Sequence, residues 1–166
     1  MELTIKDALL KGIEAHKSGK IKEADQLYTA ILKVQPNNPD ANHNLGVLAV
    51  GLGKINESLT FFKTALEVNP SVNQFWMSYI DALIKLEKIE EANEILRKAY
   101  DKEQQGMILD KFEEVYNNMG VILKNKGYFE EAIGSFSQAL KIKPDYAEAY
   151  YNLGTVQMEK SDTEAA

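Results

Sequence analysis

Two histidines, His16 and His43, are the side chains here best suited to proton transfer or metal binding. They fall in different helical stretches and lack the i, i+4 spacing of a metal-binding pair. Neither belongs to a visible nucleophile–base arrangement. Lone surface or groove positions account for both. Glu90-Glu91 and Glu130-Glu131 are paired carboxylates, the type that general acid–base work requires. Each pair opens a helical stretch, where carboxylates complement the helix dipole. Gly51-Leu52-Gly53-Lys54 lacks the spacing of a phosphate-binding loop. Lys85, Lys88, Arg97, Lys98 and Lys102 are interleaved with acids and read as a solvated face. There is no cysteine, which excludes disulfides and thiolate metal sites. No catalytic residue, metal or cofactor is expected.

Composition narrows the class further. The net charge of −6 argues against a nucleic-acid module, which is usually basic. The acidity lies mostly in the second half, because residues 1–53 hold six basic and six acidic side chains. No apolar run approaches the ~20 residues that span a bilayer. The first residues, Met1-Glu-Leu-Thr-Ile-Lys-Asp, do not read as a signal peptide. A cytoplasmic protein is the expectation.

The elements that would position any site repeat themselves. Gly12 and Gly46 lie 34 residues apart, as do Gly120 and Gly154, and Pro36 and Pro70. Ala24, Ser58 and Ala92 step by 34, and the next step, to Ala132, is 40. A fixed period near 34 is one two-helix unit used several times. Setting Gly12 at position 8 gives repeats at 5–38, 39–72, 73–106 and 113–146, with a partial repeat at 147–166 and an insertion at 107–112. Apolar spacing predicts helices near 5–18, 21–34, 39–52, 55–68, 73–86, 89–104, 111–126, 129–142 and 147–160. Short connections make successive helices antiparallel.

Local signals agree. Thr4 before Asp7 and Ser71 before Gln74 resemble capping boxes. Asn38 before Pro39 sets a capping side chain ahead of a proline at the first helical position. Pro36, Pro70 and Pro144 end second helices, because proline cannot continue one. Glycine at position 8 and a small residue at position 20 let two backbones approach. The larger Tyr28, Phe62, Leu96 or Phe136 at position 24 fills the space beside them. Trp76, at position 4, is expected at the interface between two helices.

These marks resemble the tetratricopeptide repeat (TPR). Asn44-Leu45-Gly46, Ala65-Leu66-Glu67-Val68-Asn69-Pro70, Glu131-Ala132, Ala139-Leu140-Lys141-Ile142-Lys143-Pro144 and Tyr151-Asn152-Leu153-Gly154 carry the likeness, which covers almost the whole chain. It implies an all-α fold, a right-handed α-solenoid of antiparallel helix pairs with about four and a half repeats, in a single domain over 1–166. The third repeat departs from the pattern, with Ile80 for Gly and Gln104 for Pro. Gly106 is expected to end its second helix, and the superhelix pitch is expected to change there. The first repeat, with Lys11 and Ile31, reads as a cap. The last helix has no partner after it, so the chain reads as an arm of something longer.

The resemblance also implies a groove. In this family the first helices line a concave face. Carried over, position 6 gives Asn44, Ser78, Asn118 and Asn152. An amide can donate to a carbonyl and accept from an N–H, which suits an extended peptide. A comparable asparagine ladder holds protein substrate in O-linked glycosyltransferases, with a gap here at Ser78. The bland alternative is that these amides only cap or solvate their helices. Leu9, Ile13, Val47, Val50, Met77 and Ile84 bind apolar ligand groups or pack between helices. Asn117, Val121, Lys124, Asn125 and Tyr151 make the later groove more polar. Chaperone-tail clamps of this family use Lys, Asn and Arg where this chain has Leu9, Ile13, Asn44, Gln74 and Ser78. Only Asn44 agrees, which argues against chaperone C-terminal tails as partners.

Three readings follow. The first is a non-catalytic scaffold that binds a peptide or protein segment, with no nucleic acid and no membrane. The second is the N-terminal, substrate-presenting or dimerising arm of a glycosyltransferase, sulfotransferase or methyltransferase. The third is self-association into a homo-oligomer through Tyr150 and Leu153 of the unpaired last helix.

Overall fold

The computed structural model describes residues 4–104 and 112–165. Among them the chain is all-α: α1 (Ile5–Lys17), α2 (Ile21–Val34), α3 (Pro39–Gly51), α4 (Ile55–Val68), α5 (Asn73–Lys85), α6 (Ile89–Gln104), α7 (Phe112–Asn125), α8 (Phe129–Ile142) and α9 (Ala147–Ala165). They form two compact units, residues 1–86 and 87–166. The first holds α1–α5 and the second α6–α9. The expected insertion and the helix end at Gly106 lie outside the described residues, apart from Phe112, which opens α7.

The turns explain the helix pairs. After α1, α3 and α7 the chain passes through Gly19, Gly53 and Gly127, all with positive φ. In each, the next N–H bonds back to a carbonyl five residues earlier, Lys20 to Ala15, Lys54 to Ala49 and Tyr128 to Leu123, at 2.9–3.0 Å. This is the Schellman closure of a helix. After α5 the same left-handed position is taken by Glu87, at φ 60°. The second helices stop differently. Gln35, Asn69 and Lys143 leave the helical region, and each is followed by proline, which disfavours helical geometry in the residue before it.

Two of the three predicted starts form as read. Thr4 Oγ1 accepts from the Asp7 N–H at 3.1 Å and donates to the Asp7 carboxylate at 2.6 Å. Asn38 Oδ1 accepts from the Ala41 N–H at 3.0 Å. The Ser71–Gln74 box does not form. Val72 is the N-cap of α5, and Ser71 Oγ donates to Asn69 Oδ1 at 2.6 Å. A local turn built on Asn69 has taken the serine.

The paired helices meet through glycine and an aromatic ring. A Cβ built on Gly12 would stand 2.5 Å from Tyr28, one on Gly46 2.5 Å from Phe62, and one on Gly120 2.6 Å from Phe136. Among the described residues nothing lies within 4 Å of the same point on Gly154. Around the first pair, Ala15, Ala24, Tyr28, Leu45 and Leu48 form a core cluster. In the second unit Phe112, Met119, Leu123, Phe136 and Val156 are fully or almost fully buried.

Asn42 and Trp76 have one role in successive repeats. Each is buried at position 4, and each donates to the carbonyl of the proline that ends the preceding helix. Asn42 Nδ2 reaches Pro36 O at 3.0 Å, and Trp76 Nε1 reaches Pro70 O at 2.8 Å. Trp76 is thus an interface residue, as its position predicts.

α9 is longer than the spacing predicts and runs to Ala165. Ser161 stands where Gly19, Gly53, Glu87 and Gly127 turn the chain. It stays helical, its hydroxyl donating to Gln157 O at 3.0 Å. Lys160 ion-pairs with Glu130 of α8 and with Glu164 at 3.5 Å, which holds the added turn.

Candidate functional site

In the first unit the position-6 residues Asn44 and Ser78 are both half-buried, and each is hydrogen-bonded to different partners. Asn44 donates to the Asp40 carbonyl, one turn back, at 2.9 Å. Ser78 Oγ lies 2.9 Å from His43 Nε2 and accepts from Gln74 Nε2 at 3.3 Å. His43 is half-buried rather than exposed. Its ring lies 4.8 Å from that of Phe75 and 5.7 Å from that of Phe62. Burial pushes its pKa down to about 4. The neutral imidazole therefore links α3 to α5 across the Ser78 hydroxyl. Val47 is 36% exposed on α3, and Val50 and Met77 are half-buried. Leu9 and Ile13 pack on the core cluster, and Ile84 is fully buried, so Ile84 lines no surface.

In the second unit a polar relay joins α7 to α9. Asn152 Nδ2 donates to Asn117 Oδ1 at 2.9 Å, and Asn117 Nδ2 donates to Glu148 Oε1 at 3.0 Å. Asn117 is fully buried. Its amide is spent inside the fold, so it faces no open surface. Sequence spacing missed this, because the partners lie 31 and 35 residues away. Asn118, beside it, is half-buried and makes no side-chain hydrogen bond among the described residues. Val121 is half-buried, and Asn125 is exposed. Lys124 Nζ pairs with Glu159 of α9 at 3.1 Å. Tyr151 is 72% exposed and Tyr150 55%, while Leu153 is half-buried.

Two clefts fall beside these helices. One of about 320 Å³ is lined by Ile13, His16, Lys17, Tyr28 and Asn44. Another of about 420 Å³ is lined by Leu96, Arg97, Tyr116, Glu131 and Ser135, among others. The second opens on the second helices α6 and α8 together with α7, a side the spacing did not single out. Among the described residues no helix is long and apolar enough to cross a membrane.

Residues 15–77 match the family described as tetratricopeptide repeat, and residues 120–161 match a TPR repeat. The two stretches take in more than half of the chain. This chain belongs to the tetratricopeptide-repeat family. The fold of solved TPR proteins agrees. A crystal structure of MamA aligns with a TM-score of 0.69 at 20% identity, over 97% of this chain and 85% of that one. YrrB, described as a TPR protein with an unusual peptide-binding site, aligns at 0.63 and 21% identity, over 93% and 77%. Among curated relatives, a probable UDP-N-acetylglucosamine–peptide N-acetylglucosaminyltransferase, SPINDLY of Hordeum vulgare, is 29% identical over 96% of this chain. That match takes in 17% of the relative's length. The chain spans a quarter or less of the curated relatives it matches. The TPR solenoid predicted from the 34-residue period is therefore the fold of this protein.

Proposed function

We propose that this TPR chain is a non-catalytic scaffold that holds a peptide or protein segment against its first helices. The observation that carries the reading is the state of the position-6 amides. The Asn118 side chain makes no hydrogen bond among the described residues, and the Asn44 side chain uses only its N–H₂ group, toward Asp40. Each keeps polar capacity for a peptide backbone, with Val47 or Val121 on the same helix for an apolar contact. Asn152, Ser78, Met77, Lys124 and Tyr151 complete the proposed contact set in their own units. Each neutral hydrogen bond adds about 0.5–1.5 kcal/mol, so the affinity is modest and built from several contacts. A solved protein of the same fold described as having a peptide-binding site supports the reading.

Peptides selected by display against the full chain test it, with affinities measured by calorimetry. Asn118→Ala, or Asn44→Ala, should weaken a selected peptide several-fold. A selection that yields no binder, or binders indifferent to both changes, overturns the reading.

A second reading is that the chain is an arm of a larger enzyme. The relative that is a probable glycosyltransferase favours it, because this chain matches only 17% of that protein. Sequencing the gene beyond the codon for Ala166 decides it.

A further inference from the structure

Position 23 of the repeat holds a bulky apolar residue in the first three repeats and a small polar one in the fourth. Leu27, Phe61 and Ile95 stand there first, and then Ser135. Leu27 packs on the cluster of Ala8, Ile31 and Ala41. Phe61 reaches from α4 onto the cluster that holds Tyr28 and Leu45, and so covers the seam between the first two repeats. Ser135 of α8 has the matching place between the third and fourth repeats and supplies no such cover. Its hydroxyl turns back to the Glu131 carbonyl at 2.9 Å. Gly134 beside it has no side chain, and among the described residues nothing lies within 4 Å of a Cβ placed on it.

The cleft of about 420 Å³ lies at this spot, between α6, α7 and α8. All three helices belong to the second compact unit. Leu96 of α6 and Tyr116 of α7 are buried and form its floor, at the places that Tyr28 and Asn42 take in the earlier pair of repeats. Asn93 and Arg97 of α6 and Glu131 and Gln138 of α8 stand at the mouth, half-buried or exposed. Among the described residues none of these four side chains makes a hydrogen bond or an ion pair. The floor is therefore apolar and aromatic, and the mouth offers free amide, cationic and carboxylate groups. An apolar base with a few polar groups around it, in a volume of about 300–1,000 Å³, is the usual form of a ligand site.

We propose that this cleft on the second-helix side takes an aromatic side chain, phenylalanine or tyrosine, from an extended segment of a partner protein. The ring fills the place that Phe61 fills in the earlier pair of repeats. It covers Leu96 and meets the Tyr116 ring, and the Arg97 guanidinium at the mouth can lie over its face. Both aromatic neighbour and cation favour a ring over an aliphatic group of similar size. The Asn93 and Gln138 amides each donate and accept, which suits the peptide bonds on either side of the ring. The site shares no residue with the proposed first-helix contact set, so it goes beyond that reading and stands or falls separately.

The test uses the ¹⁵N-labelled full chain and three short probes. They are N-acetyl-Ala-Ala-Phe-Ala-Ala-amide and its counterparts with Leu or Ala at the centre. The Phe probe should shift the backbone amides of Gly134 and Ser135 and the side-chain amides of Asn93 and Gln138. It should bind several-fold more tightly than the Leu probe, and the Ala probe should leave these signals in place. Ser135→Phe fills the cleft from within. It should raise the melting temperature, as cavity filling does, and abolish the Phe-probe shifts at Asn93 and Gln138. Arg97→Ala changes an exposed side chain, keeps the fold and should weaken the Phe probe several-fold. No shift from the Phe probe, equal binding of the Phe and Leu probes, or undiminished binding by folded Ser135→Phe or by Arg97→Ala overturns the site. So does a molar mass that rises with concentration in the unaltered chain but not in Ser135→Phe, which would give the cleft to a second copy. None of these results touches the first-helix reading, because selected peptides and Asn118→Ala test that separately.

Discussion

Gly120 of α7 lies so close to the Phe136 ring of α8 that a Cβ on it would stand 2.6 Å from the ring. No real Cβ tolerates that approach, so the phenyl or a helix would have to move. Gly120→Leu should therefore destabilise the chain by about 3 kcal/mol or more through overpacking. Chemical denaturation followed by circular dichroism measures this. Gly154 makes the contrast. No described residue lies within 4 Å of its added Cβ, so Gly154→Ala should be neutral or stabilise by up to about 1 kcal/mol through helix propensity.

Glu87 holds a left-handed φ of 60° at a turn where Gly19, Gly53 and Gly127 hold the same sign. A side chain there costs about 1–2 kcal/mol, and glycine would remove most of that cost. Part of the gain is lost to the greater freedom of glycine in the unfolded chain. Glu87→Gly should raise stability by up to about 1 kcal/mol, read from the urea midpoint.

Asn117→Ala should cost about 2 kcal/mol, because it leaves Glu148 and Asn152 without their inner partner. The loss should appear as faster hydrogen exchange in α9 than in the unaltered chain. Unchanged exchange would mean the relay does not hold α9.

His43 sets a pH dependence. Burial lowers its pKa from 6.5 to about 4. Above 6.5 neither the folded nor the unfolded state carries the proton, and the contribution is complete. As pH falls from 6.5 toward 4, the unfolded chain binds a proton that the folded chain refuses, and stability drops. His43→Gln keeps a side chain that can hydrogen-bond Ser78 and does not titrate. It should flatten the profile in that window, as seen by thermal melts across it.

Much of this protein was legible in its sequence. Period and spacing located the helix pairs. Pro36, Pro70 and Pro144 located the ends of second helices, and Thr4 and Asn38 located two starts. Gly12, Gly46 and Gly120 predicted a close approach to an aromatic residue. All of these are local properties of backbone conformation or fixed steps along a helix, and a linear pattern records them directly. The position-6 amides were legible as residues but not as environments. Asn118 is half-buried and its side chain makes no hydrogen bond among the described residues, while Asn152 beside the buried Asn117 is engaged within the fold.

Only the tertiary structure decided those environments. The bonds of His43 to Ser78 and of Asn152 to Asn117 each join residues 35 apart, across neighbouring first helices. Spacing shows that such residues are near, but not which rotamer meets which. Ser71 was lost to Asn69 because two local hydrogen-bonding patterns competed for one hydroxyl. The Tyr28 hydroxyl, buried with no hydrogen-bond partner among the described residues, is the clearest case. Its ring follows from the 34-residue pattern, which equally accepts phenylalanine. What lies at the tip of that ring depends on how three helices meet, and a one-dimensional repeat does not carry that information.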